Sequence, residues 1–222
     1  MKISILGNGK MGKEISKIAK KRGHIITCIA DSKNPGISLN LDNTDVAIEF
    51  STPSSAYENI SHAINSGVPV VSGTTAWLQK LKQINELCEK KKGAFLYSTN
   101  FSLGANIFFE LNKKLAKLMK NKKYKCKIHE IHHTKKLDSP SGTAITLKQQ
   151  INEINKNKTI ITSDRVKNNA GTHQVTYKSD VDTIEIKHTA DNRNGFALGA
   201  IIAAEWIIGK KGIYSMKDII DY

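Results

Sequence analysis

The segment Glu130-Ile131-His132-His133-Thr134-Lys135-Lys136-Leu137-Asp138-Ser139-Pro140-Ser141-Gly142-Thr143-Ala144 packs two adjacent histidines, two lysines, an aspartate and a Ser-Gly-Thr turn into fifteen residues. Histidine can give and take protons near neutral pH, and lysine supplies fixed positive charge. Pro140 stops a continuing strand, and Ser141 is suited to cap a helix that begins at Gly142. The free N–H groups of that helix start, with Gly142 and Thr143, can hold a carboxylate. The combination suits a small anionic substrate, and a purely structural loop has no need of it. His132 and His133 are neighbours on an extended segment, so they point to opposite faces. Which one faces a bound small molecule depends on the strand register. Lys135 and Lys136 would depress a nearby imidazole, whereas a bound dianion would raise it. The rival readings are a solvated basic loop and a zinc site through His129, His132 and His133. Zinc needs convergent ligands, and these three do not share one face, so no metal is expected.

A second constellation lies at the N-terminus. Gly7-Asn8-Gly9-Lys10-Met11-Gly12 follows a short apolar strand and opens a helix. Asp31 then ends the next strand, 24 positions after Gly7. In a dinucleotide-binding loop the first glycine permits the turn and the second lets the pyrophosphate approach the backbone. The third lets the helix pack on the sheet, and the carboxylate accepts from the ribose hydroxyls. Asp31 opposes a 2′-phosphate by about 4 kcal/mol per charge pair at an effective dielectric of 20. Ser32 and Lys33 can offset this, so NADH and NADPH are both expected to serve, with NAD(H) at least competitive. Gly73-Thr74-Thr75 and Ser98-Thr99-Asn100-Phe101 sit at the carboxyl ends of two further strands, the edge where open α/β sheets bind ligands. Their hydroxyl and amide groups can bond a carboxamide, and Phe101 can pack on a nicotinamide ring. Which of His132 and His133 faces that ring depends on the strand register.

The elements that carry these residues alternate in the first half. Strands are predicted at 2–6, 24–30, 45–50, 68–72 and 94–98, with helices after the glycine loop and at 54–66 and 77–91. This pattern is α/β, a Rossmann-type doubly wound parallel sheet. The second half reads as a helix at 106–120, an alternating strand at 124–131 and a helix at 142–154. Strands at 171–179 and 182–189 share a tight turn, and an Ala-rich apolar helix follows at 197–208. A smaller α+β domain with an open mixed sheet is expected there. The predicted division is 1–100 with 198–222 for the nucleotide and 101–197 for substrate binding and oligomerisation.

Composition narrows the function classes. The chain has 222 residues and a formal net charge of +14. Only three of its 34 basic residues are Arg (Arg22, Arg165 and Arg193), and the rest are Lys. Arg is the usual reader of base edges, so a Lys-rich solvated surface is expected and no specific nucleic acid. Its field would still attract small anions. No apolar run approaches the ~20 residues of a membrane span. Residues 1–6 run straight into the glycine turn without a secretory signal, so the cytoplasm is the expected location. Cys28, Cys88 and Cys126 are far apart and show no metal or redox spacing. None is placed as the nucleophile that a semialdehyde dehydrogenase requires.

The run 130–144 closely resembles the signature of the 4-hydroxy-tetrahydrodipicolinate reductase (dihydrodipicolinate reductase) family. The resemblance extends over the whole chain through the glycine loop, Gly73–Thr75, Ser98–Phe101 and the stretch 193–196. It implies reduction of 4-hydroxy-tetrahydrodipicolinate to tetrahydrodipicolinate in lysine and diaminopimelate synthesis. Water is lost, hydride passes from the nicotinamide to ring C4, and C3 is protonated. It implies that Gly7, Asn8, Gly9, Lys10, Met11, Gly12, Asp31, Gly73, Thr74, Thr75, Ser98, Thr99, Asn100 and Phe101 hold NADH and/or NADPH. His132 and Lys136 would transfer the proton; His133, Gly142 and Thr143 would bind the dicarboxylate substrate. It further implies a homotetramer assembled through the second-domain sheets. The position after Asp31 is Ser32, where some family members carry an Arg for the 2′-phosphate. The alternative function is a non-catalytic nucleotide-sensing module, which would keep the glycine loop but has no use for the His-His-Lys run.

Overall fold

The computed structural model describes residues 1–155, 159–192 and 194–220. Arg193, part of the stretch 193–196, lies outside them. The chain divides into two compact units, Met1–Leu103 with Asn194–Tyr222, and Gly104–Arg193.

The first unit contains β1 (Lys2–Leu6), α1 (Lys10–Lys21), β2 (Ile25–Ala30), β3 (Val46–Glu49), α2 (Pro53–Asn65), β4 (Val70–Ser72), α3 (Leu81–Lys90) and β5 (Ala94–Tyr97). The second unit contains α4 (Leu103–Leu118, starting at the boundary), β6 (Lys125–His132), α5 (Gly142–Ile154), β7 (Ile160–Arg165), β8 (Thr172–Lys178) and β9 (Thr183–Thr189). The chain then re-enters the first unit with α6 (Asn194–Ile207), β10 (Gly212–Tyr214) and α7 (Met216–Ile220).

The first unit is a parallel sheet in the order β10-β5-β4-β3-β1-β2. Both faces are covered, which explains why β3 is apolar at Val46, Ala47 and Ile48. Val46 and Ile48 join Ile3, Ile5 and residues of α1 and α6 in one core; Ala47 joins Leu6, Val70, Phe95, α2 and α3 in the other. Side-chain alternation along each strand makes this division. The register aligns the strand ends: Ala30 lies beside Leu6, Leu6 beside Glu49, Glu49 beside Ser72 and Ser72 beside Tyr97. The loops that follow therefore leave from one row. The chain order reverses between β1 and β3, where such folds bind their ligands.

The second unit is a mixed sheet, β7-β6-β8-β9. β6 runs parallel to β7 and antiparallel to β8, and β8 antiparallel to β9. One face packs on α4 and α5 through Phe108, Ala116, Cys126, Ile128, Leu147, Ile151 and Val175. Along β6 the buried positions are Cys126, Ile128, Glu130 and His132. The helix-covered face thus ends in two polar residues. β7, β10 and α7 are absent from the sequence expectation. β7 reads Ile-Ile-Thr-Ser-Asp-Arg, and β10 has only three residues, so neither shows a period. No described helix is long and apolar enough to cross a membrane.

Candidate active site

In the first unit the glycine loop is fixed by close backbone approaches. A Cβ on Gly12 would lie 1.8 Å from the Gly7 carbonyl oxygen, and one on Gly7 would lie 2.1 Å from that of Phe50. A Cβ on Gly9 would meet nothing within 4 Å. Gly9 is the N-cap of α1 and supplies no capping side chain. Open space above a glycine, at a helix start without a side-chain cap, fits an approaching pyrophosphate. A cleft of about 440 Å³ opens there, lined by Gly9, Lys10, Met11, Phe50, Ser51, Pro53, Gly73, Thr74 and Thr75. Asp31 follows β2 directly, and its Oδ1 accepts the Lys33 and Asn34 N–H groups at 2.9 and 3.0 Å. The Asn34 and Lys33 backbone bonds and the Asn8 side chain hold its carboxyl below the ordinary range.

Several of the groups expected at the ligand also make contacts within the fold. The Thr74 hydroxyl donates to Glu49 at 2.8 Å. The Ser98 hydroxyl donates to the Asn100 carbonyl at 2.8 Å, and Asn100 Oδ1 accepts the Ser102 N–H. Thr99 is exposed. Phe101 is only 2% exposed and packs on Phe50 with ring centroids 5.4 Å apart. The aromatic ring that lines the cleft is that of Phe50, which sequence reasoning missed. It also missed Glu49, a fully buried carboxylate that accepts from the Ser51 N–H and hydroxyl and from Ser72 and Thr74. Glu49 ties the β3 exit to the β4 exit beneath the cleft. Its signal was present, as a carboxylate ending an otherwise apolar strand.

In the second unit the register settles which histidine is buried. His132, the last residue of β6, is 7% exposed; His133 follows the strand and is half-buried. Glu130 is fully buried, two residues earlier on the same face. His173 stands directly opposite Glu130 on β8. Glu130 accepts the Ser141 N–H at 3.2 and 3.1 Å, and the Arg165 guanidinium lies 3.5 Å away. His132 Nδ1 is 3.5 Å from Glu130 Oε2, and the His132 and His173 ring centroids are 5.0 Å apart. A Cβ on Gly171, whose φ is +151°, would come within 3.2 Å of His132 Nε2. Glu130 and Gly171 therefore flank the two nitrogens of one ring.

Ser141 caps α5 by accepting the Ala144 N–H, so Gly142 and Thr143 form the helix start as expected. Lys136 Nζ is paired with Asp138 at 2.7 Å, and Arg165 donates to the Asp138 carbonyl at 2.7 Å. The loop between β6 and α5 is thereby fastened to β7. His129 is elsewhere: it contacts Thr162 and Asp164. Among the described residues, the group with metal-like convergence is Glu130, His132 and His173, with ligand atoms within 4.8 Å of one another.

Electrostatics follow from burial. Burial lowers the His132 imidazole; Glu130 opposes this, while Lys136 and Arg165 reinforce it. Burial alone would raise the Glu130 carboxyl, but bonds from Ser141 and Ser163 and the His132 charge leave it below its ordinary value. His173 is pushed down to about 4, first by burial and then by His132. Ser141 Oγ lies 3.0 Å from His173 Nε2 and already accepts the Ala144 N–H. Its own proton is left for a neutral ring.

A histidine depressed by the fold costs nothing while the unfolded chain is also neutral. Below about pH 6.5 the unfolded chain takes up a proton that the folded chain refuses, so stability falls as pH drops to about 4, by at most roughly 3 kcal/mol. Urea titrations between pH 7 and 4 should show that loss, and His173→Asn should flatten it. An unchanged slope in the variant would refute the assignment.

A doubly wound parallel sheet, a dinucleotide loop at its switch point and a second unit with a buried imidazole beside a cationic helix start define a nicotinamide-nucleotide-dependent oxidoreductase. Family models described as dihydrodipicolinate reductase, N-terminus, and dihydrodipicolinate reductase, C-terminus, match residues 1–101 and 104–220. The chain is 48% identical to 4-hydroxy-tetrahydrodipicolinate reductase of Christiangramia forsetii, over 99% of this chain and 98% of that protein. It is 39% identical to the same enzyme of Thermosipho africanus, with coverage of 99% and 98%. A solved dipicolinate-bound dihydrodipicolinate reductase from Paenisporosarcina shares the fold, with a TM-score of 0.81 at 24% identity and 99% of each chain covered. The chain belongs to the dihydrodipicolinate reductase family.

Proposed function

We propose that the chain reduces 4-hydroxy-tetrahydrodipicolinate to tetrahydrodipicolinate in lysine and diaminopimelate synthesis, with NADH and/or NADPH as reductant. The observation that carries the reading is the buried His132 joined, through Glu130, to the start of α5. The first unit is the nucleotide-binding unit; the glycine loop, Asp31, Gly73–Thr75 and Ser98–Phe101 hold the cofactor. After the substrate has lost its hydroxyl as water to give an unsaturated imine, the reduced nicotinamide, when bound, would supply hydride to ring C4 and leave an enamine. In the second unit His133, Gly142 and Thr143 hold the substrate carboxylates, whose charge suits the helix N-terminus. His132 gives a proton to C3, with Lys136 adding positive charge to the site. The N–H bond of the imidazolium breaks, the C3–H bond forms with the enamine electron pair, and a neutral imidazole is left for solvent to recharge.

The protein works in the cytoplasm as a homotetramer built through the second-unit sheets. Lys125, Lys127, Thr176 and Glu185 mark the face of that sheet away from the α4–α5 core. A non-catalytic nucleotide sensor would leave the Glu130–His132–His173 cluster without a use. Oxidation of NADH and NADPH with freshly generated 4-hydroxy-tetrahydrodipicolinate tests both readings. Turnover should depend on that substrate, and NADH should be at least competitive because Asp31 repels a 2′-phosphate. No substrate-dependent oxidation would leave only the sensor; a hundredfold preference for NADPH would refute the role given to Asp31.

A further inference from the structure

Glu130 is the least expected charge in the second unit. It is fully buried on the strand face that also carries Cys126, Ile128 and His132, and the proton transfer described above assigns it no step. Four elements converge on it. Ser141, before α5, donates its N–H; Arg165 on β7 approaches Oε1; His173 on β8 and His132 at the end of β6 lie 3.7 and 3.5 Å from Oε2. His132 Nδ1 is buried and has no hydrogen-bond partner among the described residues, so Glu130 is the charge that this nitrogen faces. A divalent ion at this point would have to share the carboxylate with a guanidinium and an N–H donor. Ser141 and Arg165 already use Glu130 as an acceptor.

We infer that Glu130 is a positioning residue that holds the His132 ring with Nδ1 turned inward and pins the start of α5, so that one buried carboxylate fixes the proton donor and the carboxylate cradle together. The inference rests on His132 as the proton donor. A carboxylate behind Nδ1 leaves Nε2 as the nitrogen that exchanges protons, and it stabilises the charged ring. Glu130 stays ionised throughout. The charged and titratable groups around the His132 ring are Glu130 on β6, Lys136 and Asp138 in the following loop, Arg165 on β7 and His173 on β8. Glu130 and Asp138 favour the imidazolium; Lys136 and Arg165 oppose it.

The test compares Glu130→Gln, Glu130→Asp, Arg165→Gln and His132→Gln in the full-length enzyme. Glu130→Gln should lower kcat roughly ten- to a hundredfold, taking as a guide the loss that follows removal of a carboxylate that orients a metal-bound imidazole. NADH affinity, read by fluorescence, should not change, since the cofactor residues lie in the other unit. The alkaline fall of kcat/KM should move to lower pH in Glu130→Gln and to higher pH in Arg165→Gln. Glu130→Asp should recover part of kcat. A purely structural role would lower kcat without moving the pH limb. Should Glu130→Gln fail to fold, the upward shift in Arg165→Gln carries the test, since a limb that stays put there overturns the inference. If His132→Gln keeps near-normal turnover, the proton-donor reading fails first. If that variant is inactive and neither limb moves, only the role of Glu130 fails.

Discussion

His132→Gln should lower kcat by roughly a hundred- to ten-thousandfold, the range for loss of a positioned general acid, while NADH binding is unchanged. Glutamine keeps most of the ring's volume and can still hydrogen-bond, but it cannot deliver a proton at neutral pH. Burial already holds the free imidazole below its ordinary value, with Glu130 alone insufficient to reverse the shift. Two substrate carboxylates would raise it again. The alkaline fall should therefore lie at higher pH in kcat, which reports the substrate complex, than in kcat/KM, which reports the free enzyme. Near-normal turnover in the variant would remove His132 from the chemistry. Coincident limbs would remove the substrate from its titration.

The second large effect is Gly12→Ala. A methyl group there would sit 1.8 Å from the Gly7 oxygen, and Gly7 is itself held against the Phe50 carbonyl. Backbone meets backbone on both sides, so no side-chain rotation can relieve the clash. Overpacking costs about 1–3 kcal/mol, occasionally more, and the top of that range is worth roughly a hundredfold in affinity. The expected result is NADH binding weakened about a hundredfold or more, or a first unit that melts before the second. Calorimetry with fluorescence titration distinguishes these outcomes. Wild-type affinity at wild-type melting temperature would mean that the loop does not need this approach. Gly9→Ala gives the contrast: the fold should be kept, because its Cβ meets nothing, and affinity should fall only through the lost space for phosphate.

Much of this was legible in residue types. The glycine loop and Asp31 announce themselves because turn, helix start and strand end follow one another within a few residues. The same holds for Ser141 and α5. What sequence could not supply is pairing at a distance. Glu130 lies inside the conspicuous run, yet its meaning depends on Arg165, 35 residues away, and on His173 across the β6–β8 ladder. Which of His132 and His133 is buried needed the register of β6, since a shift of one residue exchanges their faces. Glu49 reads as an ordinary strand end until Ser72 and Thr74 are brought beside it. β10 has three residues and exists because β5 offers an edge.

The return of α6 to the first unit sets an order of manufacture. By the time residue 103 leaves the ribosome, every loop proposed to hold the cofactor has been made. The sheet face bearing Ile3, Ile5, Val46 and Ile48 still lacks Ala197, Ala200, Ile201, Ala204 and Ile207. At about 5–20 residues per second, the intervening stretch takes roughly 5–20 s to synthesise. For that interval half of an apolar layer is bare, and the second unit is completed before the first. A gene cut at residue 103 thus yields the whole nucleotide signature without the cover that makes it fold. An isolated nucleotide unit has to carry both segments of the chain.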